Sequence, residues 1–125
     1  MSSDLHPDPS TGAKARGQQV VLPGKYDVFL DLDTEEAFET MSARIVDLKR
    51  MGFLLVMVSC APSRSGLPHR HVILRANQAL SETERIALQA CLGSDLMREL
   101  FSLVRVWRGE TATTLYEDPE WKDPR

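Results

Sequence analysis

Hydrophobic and polar residues alternate in the segment KYDVFLDLD, residues 25–33. The aliphatic side chains fall on one face and the acidic side chains on the other, and this period of two predicts a strand. From Thr34 the apolar residues follow a helical spacing instead, which predicts a helix that ends near Gly52. The inward stripe of this helix is Ala37, Phe38, Met41, Ile45 and Leu48.

Two further strands and a second helix follow. The continuous apolar run FLLVMVSCA, residues 53–61, is typical of a central strand that is covered on at least one side. The segment HRHVILRA, residues 69–76, predicts a strand that forms a hairpin with it. Ser81 and Glu84 have the spacing of a capping box, so we expect a helix from there to Gly93. Its inward residues would be Ile86, Ala87, Ala90 and Cys91.

The C-terminal third predicts a short helix and two more strands. SDLMREL, residues 94–100, indicates one or two helical turns; SLVRVW, residues 102–107, indicates a strand; and ATTLYE, residues 112–117, indicates an edge strand. The order of elements predicts an α+β fold, a ferredoxin-like or RNA-recognition-like β-α-β-β-α-β sandwich with an extra C-terminal strand.

Length fits one domain, because 125 residues can bury a single core. We expect a single catalytic-type domain over residues 25–118, between a flexible segment, residues 1–24, and a flexible tail, residues 119–125. A short extended piece is expected at QQVVL within the first segment. Without an apolar run of about 20 residues, we expect a cytoplasmic chain that binds no membrane. Cys60 and Cys91 predict reduced, buried thiols.

Charge is distributed unevenly along the chain. The net charge is −3, but residues 41–109 contain ten Lys or Arg and five Asp or Glu. Most of these cations are arginines, whose planar fork suits phosphate oxygens, so the middle of the chain is a candidate surface for a polyanion. A solvated face of mixed charge is the other interpretation.

Two aspartates at the end of the first predicted strand are candidates for metal binding. Asp31 and Asp33 are two residues apart, so their carboxylates project from the same face. Mg²⁺ prefers oxygen ligands and often takes one or two carboxylates together with phosphates. The alternative is that Asp33 caps the following helix, with Glu36 as its capping-box partner, while Asp31 is exposed to solvent.

The turn SRSGLPHRH, residues 63–71, carries a second candidate site. Backbone N–H groups near Ser65, with Arg64 and Arg70 beside them, are suited to a phosphate, and an imidazole of His69 or His71 can donate to the same group. The alternative is a polar hairpin turn whose histidines face water.

Further along, Asp95 is either a third carboxylate of the first site or the cap of a short helix. Arg105 is the arginine of the last predicted strands that is best placed to face the aspartates.

Taken together, FLDLD, SRSGLPHRHVIL and LGSD resemble the three catalytic motifs of the archaeo-eukaryotic primase superfamily, the primase-polymerases, in the same order. The resemblance extends from Asp27 to Glu117 and includes a C-terminal segment similar to that of small phage and plasmid relatives. It implies a metal-dependent nucleotidyltransferase, a minimal DNA primase or polymerase core that acts in replication.

This resemblance also implies ligands and partners. Asp31, Asp33 and Asp95 would hold Mg²⁺ or Mn²⁺, and a nucleoside triphosphate would contact His71, Ser65 and Arg105, with His69 and Arg64 as further candidates. A DNA template and a helicase or another replication subunit would be the partners.

Two other interpretations remain open. The HRH pair and Tyr116 are similar to the metal-binding histidines and nucleophile of rolling-circle replication endonucleases. A non-catalytic nucleic-acid-binding or interaction module of the same fold would use basic residues and aromatics such as Phe29.

Overall fold

The computed structural model describes residues 17–110 and 112–124, so most of the predicted N-terminal segment, residues 1–16, lies outside the described residues. The prediction of an α+β fold is confirmed by three helices and two small antiparallel sheets. In chain order the elements are β1 (Gln19–Val21), β2 (Asp27–Leu32), α1 (Glu35–Arg50), β3 (Leu55–Pro62), β4 (Arg70–Ala76), α2 (Glu82–Cys91), α3 (Leu96–Trp107) and β5 (Leu115–Glu117).

The larger sheet has the strand order β2-β4-β3, and both pairings are antiparallel. This order and the crossover through α1 are compatible with a ferredoxin-like arrangement. The even-numbered residues of β2, among them Leu30, face the helices, as the alternation predicts. The main core contains these side chains together with Met41 of α1 and Leu92 after α2: Val28, Leu30, Leu32, Met41, Leu55, Val72, Leu74, Ala76 and Leu92.

The smaller sheet, β1 with β5, covers the opposite face. A second core joins the two sheets through the buried side chains Val21, Phe29, Ile73 and Leu115. β1 is the short extended piece predicted at QQVVL, within a segment, residues 1–24, that is otherwise predicted to be flexible. Trp121, in the tail predicted to be flexible, also packs against this second core. The segments flanking residues 25–118 therefore add core contacts that the sequence did not indicate.

Capping residues set the helix starts. Thr34 caps α1, and its Oγ1 accepts a hydrogen bond from the Ala37 N–H at 3.0 Å. Ser81 and Glu84 form the predicted capping box at α2. The alternative in which Asp33 caps α1 is therefore wrong.

The strand predicted at residues 102–107 is wrong, because these residues form the second half of α3. The valines favoured a strand, but Glu99, Ser102 and Arg105 recur at helical spacing and are all buried. As a result, no fourth strand pairs with the outer edge of β2 within the described residues.

Side chains of α2 and α3 occupy this edge instead. Arg85 Nε donates to the Asp27 carbonyl at 2.9 Å, Gln89 Oε1 accepts from the Phe29 N–H at 2.9 Å, and Arg98 donates to the Phe29 carbonyl at 3.3 Å. Buried backbone groups require hydrogen-bond partners, and these polar side chains supply what a strand would have supplied.

Other predictions on burial are wrong for related reasons. Ala87 of α2 is predicted to face inward but is exposed. Arg85 and Gln89 are buried on the inward face instead, because their side chains hydrogen-bond to the backbone of β2. The prediction of a central strand at residues 53–61 is wrong, because β3 lies at the edge of its sheet, where Val56 is 64% exposed. Cys60 and Cys91 are free thiols but exposed, since one lies on this edge strand and the other at the end of α2. Among the described residues, no helix is long and apolar enough to cross a membrane.

Candidate metal and anion site

Asp31 and His71 are directly opposite each other on β2 and β4. Their side chains therefore project from the same face of the sheet, the face that carries the second core. His71 Nε2 lies 3.9 Å from Asp31 Oδ1, and its Nδ1 lies 2.8 Å from Oε1 of Glu117 on β5. The His71 side chain is 12% exposed. The alternative of a water-facing histidine does not hold for His71.

Asp33 and His69 form a second pair just beyond the strand ends. His69 Nδ1 is 3.2 Å from Asp33 Oδ1, and both side chains are nearly half exposed. Since Thr34 provides the helix cap, the Asp33 carboxylate is not used as a cap and pairs with His69 instead.

Asp95 reaches the same corner from the other side of β2. Its carboxylate caps α3 by accepting from the Met97 N–H at 3.0 Å, so the capping interpretation is confirmed for this residue. Its backbone N–H donates to the Asp31 carbonyl at 2.8 Å. One carboxylate oxygen from each of Asp31, Asp33 and Asp95 lies within 4.8 Å of the others, and we call this group the acidic corner. Capping and participation in this acidic group are therefore compatible.

A buried polar network fixes the position of Asp31 on the edge of β2. The Asp31 N–H donates to Ser94 Oγ at 3.0 Å, and Ser94 Oγ donates to Glu99 Oε2 at 2.8 Å. Glu99 also accepts from Gln89 Nε2 at 2.8 Å and forms an ion pair with Arg98. Each backbone polar group on this side of β2 from Phe29 to Asp31 thus has a partner.

Burial raises the pKa of the Asp31 carboxyl above its usual value of 3.8. His71 and Arg98 lower it, whereas the negative charges of Asp33 and Asp95 raise it. The net effect is that the site disfavours the ionised form of Asp31. A cation bound there would favour the ionised form instead.

Two adjoining cavities meet at Asp31, His71 and Tyr116. The first, which we call the α3 pocket, has a volume of about 280 Å³ and lies between α3 and β5. The second, the turn pocket, has a volume of about 470 Å³ and lies under the loop before β4. Asp95 and Arg105 line the α3 pocket, and the turn pocket contains Asp33, Ser63, Arg64, Ser65 and His69.

Local hydrogen bonds shape the loop above the turn pocket. The Ser63 N–H donates to the His69 carbonyl at 2.9 Å, and the Gly66 N–H donates to the Ser63 carbonyl at 2.8 Å. Gly66 has φ of +83°, which favours glycine. Arg70 points away, forming a bidentate ion pair with Glu35 and lying over the Phe38 ring. The prediction that Arg70 helps to bind an anion in this turn is therefore wrong.

Arg105 lies at the α3 pocket, but it belongs to a helix and not to the predicted strand. It is 7% exposed and lies 3.6 Å from Glu110. The predicted anion-binding residues thus divide between the two pockets, with His71 common to both.

Three residues of this site are missing from the sequence predictions: Arg98, Glu117 and Ser94, whose Oγ accepts from the Asp31 N–H beside the acidic corner. The alternation in β5, which places Leu115 and Glu117 on one face, is a signal that could have indicated an inward Glu117. Nothing in the sequence indicates its pairing with His71, because this depends on how β5 packs across the larger sheet.

No protein-family model, curated protein or solved structure matches the chain. Function is therefore inferred from the geometry of the site itself, which brings three carboxylates and two histidines to one end of a sheet.

Proposed function

We propose that the protein is a metal-dependent nucleotidyltransferase of the minimal primase or polymerase type. The observation that carries this proposal is the convergence of Asp31, Asp33 and Asp95, with oxygens within 4.8 Å of one another, beside His71. The three carboxylates come from the first and third of the segments whose order resembles the primase motifs, and His71 comes from the second.

The acidic corner suits a hard divalent cation. Oxygen ligands from carboxylates are the ones that Mg²⁺ and Mn²⁺ prefer, and Asp31, Asp33 and Asp95 would hold the ion. When bound, such an ion supplies charge neutralisation at the transferring phosphoryl group. The raised pKa of Asp31 supports this role, because burial and, to a lesser extent, the charges of Asp33 and Asp95 disfavour the ionised carboxylate, and a bound cation would offset both.

Groups suited to a polyphosphate flank the acidic corner. Arg64, Ser65 and His69 line the turn pocket, and Arg105 lines the α3 pocket. His71 faces both pockets and would contact the phosphates at their junction. Phosphoryl transfer requires mainly positioning and charge stabilisation, and these residues would supply both. A DNA template and a replication subunit such as a helicase would then be the macromolecular partners.

The test is primer synthesis and extension in Mg²⁺ or Mn²⁺ with wild type and Asp31→Ala/Asp33→Ala. We expect the double variant to lose at least ~100-fold in rate, since metal-ion stabilisation contributes several kcal/mol. Glu36→Ala/Glu39→Ala is the matched control, because it removes two acidic residues from exposed positions in the first two turns of α1. Equal activity of the Asp variant and the control would refute the metal mechanism.

A rolling-circle endonuclease is a second candidate, which the presence of Tyr116 in both pockets beside His71 favours. In that case Tyr116→Phe would abolish nicking of single-stranded DNA, because the hydroxyl would be the nucleophile. Full nicking activity in Tyr116→Phe would remove this candidate. The stacking surface of a simple nucleic-acid-binding module is less well supported, since Phe29 is completely buried.

A further inference from the structure

The imidazole ring of His71 contacts the buried carboxylate of Glu117. Its Nδ1 lies 2.8 Å from Oε1 of Glu117, whose side chain is 8% exposed. On the other side of the ring, Nε2 lies 3.9 Å from Asp31 Oδ1. One ring nitrogen is thus engaged by β5, and the other is directed at the acidic corner.

The chemistry of the pair restricts the ring. An ionised carboxylate accepts hydrogen bonds and has no proton to donate, so its close contact with His71 requires that Nδ1 carry the hydrogen. This holds both for the neutral Nδ1–H tautomer and for the doubly protonated ring. In either form, Nε2 is the nitrogen that faces the two pockets.

We propose that Glu117 is a positioning residue that holds the Nδ1 proton and fixes the orientation of the His71 ring, so that Nε2 is directed at a phosphate group of a bound nucleotide and, when it also carries a proton, donates to a phosphate oxygen. This inference rests on the proposed function and names a residue outside the three motifs. Outer partners of this kind orient histidines at many metal and ligand sites. Leu115 already anchors β5 in the second core, so the strand is held to the sheet without Glu117.

The variant Glu117→Gln tests this role. Its amide has nearly the same shape, but it can present either an oxygen or an NH₂ group to Nδ1, so it does not impose one tautomer. The matched control is Glu120→Gln, the same change of charge three residues later at an exposed position. Thermal melting verifies that each variant is folded.

Two measurements are made on each protein: the ¹⁵N shifts of the His71 ring, and the affinity for dATP in the presence of Mg²⁺. We expect a protonated Nδ1 in wild type and in Glu120→Gln, and a mixture of tautomers in Glu117→Gln. We also expect Glu117→Gln to bind dATP ~10-fold more weakly, the lower range for loss of an orienting partner.

The outcomes separate this inference from the proposed function. If wild type binds dATP and Glu117→Gln binds it equally well, the positioning role is wrong and the proposed function is untouched. A neutral ring protonated at Nε2 in wild type would overturn the positioning role whatever the variants do, even if Glu117→Gln failed to fold. If wild type shows the expected ring shifts but binds no dATP, the proposed function fails and the nucleotide-directed role fails with it.

Discussion

The two outer edges of the larger sheet differ in how far they are covered by other parts of the protein. The edge of β2 is covered by buried polar groups, and Gln89, whose side chain contacts its backbone, is 0% exposed. On the edge of β3, Val56 is 64% exposed and Met57 is 44% exposed. A bulge between Met57 and Ser59 interrupts the register there. One edge is thus closed by specific hydrogen bonds, and the other is open.

This difference coincides with the position of the candidate site. Hydrophobic packing alone would cover β2, but it would leave the backbone groups of Asp31 without partners and would not fix where the carboxylates lie. The network of Gln89, Ser94, Arg98 and Glu99 does both. Buried polar networks of this kind stabilise a unique arrangement only when every member is satisfied.

The largest effect is expected for Glu99→Ala. Glu99 is 2% exposed and accepts from Gln89, Ser94 and Arg98. Its removal takes the ion-pair partner from the largely buried Arg98 and an acceptor from both Gln89 and Ser94, so we expect a loss of about 3–5 kcal/mol in the free energy of unfolding, measured with urea. The control Glu39→Ala, on the exposed side of α1, should lie within about 0.5 kcal/mol of wild type. Equal losses in both variants would contradict the importance of the network.

A smaller loss is expected for Gly93→Ala, in the turn that brings Ser94 and Asp95 to β2. Gly93 has φ of +99°, and an added Cβ would lie 3.0 Å from the Ala37 carbonyl oxygen of α1. Gly52→Ala is the matched control, because Gly52 has φ of +89° with open space around the new atom.

Urea unfolding of both glycine variants separates backbone strain from crowding. Gly52→Ala should cost about 1–2 kcal/mol from its left-handed conformation alone. Gly93→Ala should cost more, since α1 must also shift. If the two losses are equal, close packing of this turn against α1 does not matter.

Asp31→Asn is expected to have the opposite sign. The folded-state pKa of Asp31 is raised, so the unfolded chain releases this proton more readily and ionisation destabilises the fold. The variant should therefore be more stable than wild type above the folded-state pKa, and its advantage should disappear as the pH falls below the usual value of 3.8. Thermal melts without divalent cations across this pH range measure the difference. A less stable variant at neutral pH would refute the unfavourable burial of this charge.

The smallest effect is expected on the open edge. Val56→Thr replaces an exposed side chain on β3 and should change the free energy of unfolding by less than about 0.5 kcal/mol. Val28→Thr, the same change at a completely buried position of β2, should cost far more. Similar losses in urea unfolding would show that the β3 edge is covered in solution.

Local patterns predict much of this fold. The period of two places Asp31 on the face opposite the core residue Leu30, and the capping box marks the start of α2. These features depend on neighbours within a few residues, so the sequence contains their signals directly.

What the sequence does not predict depends on long-range contacts. Whether SLVRVW is a strand or a helix depends on long-range packing that buries Glu99, Ser102 and Arg105 on one face of α3, where Glu99 accepts from Gln89 beside β2. The alignment of Asp31 with His71 depends on the β2–β4 register, and the Glu117 contact depends on the packing of two sheets. Roles of the individual site residues in metal or nucleotide binding stay predictions.

The most direct test of the central claim is a titration of the ¹⁵N-labelled protein with substoichiometric Mn²⁺, followed by paramagnetic broadening of the backbone amide signals. We predict that the amides of Asp31, Asp33, His71 and Asp95 broaden first, and that Asp31→Ala/Asp33→Ala abolishes this pattern. Earlier broadening at another acidic segment, such as Glu82 and Glu84 at the start of α2, would contradict a metal site at the end of β2.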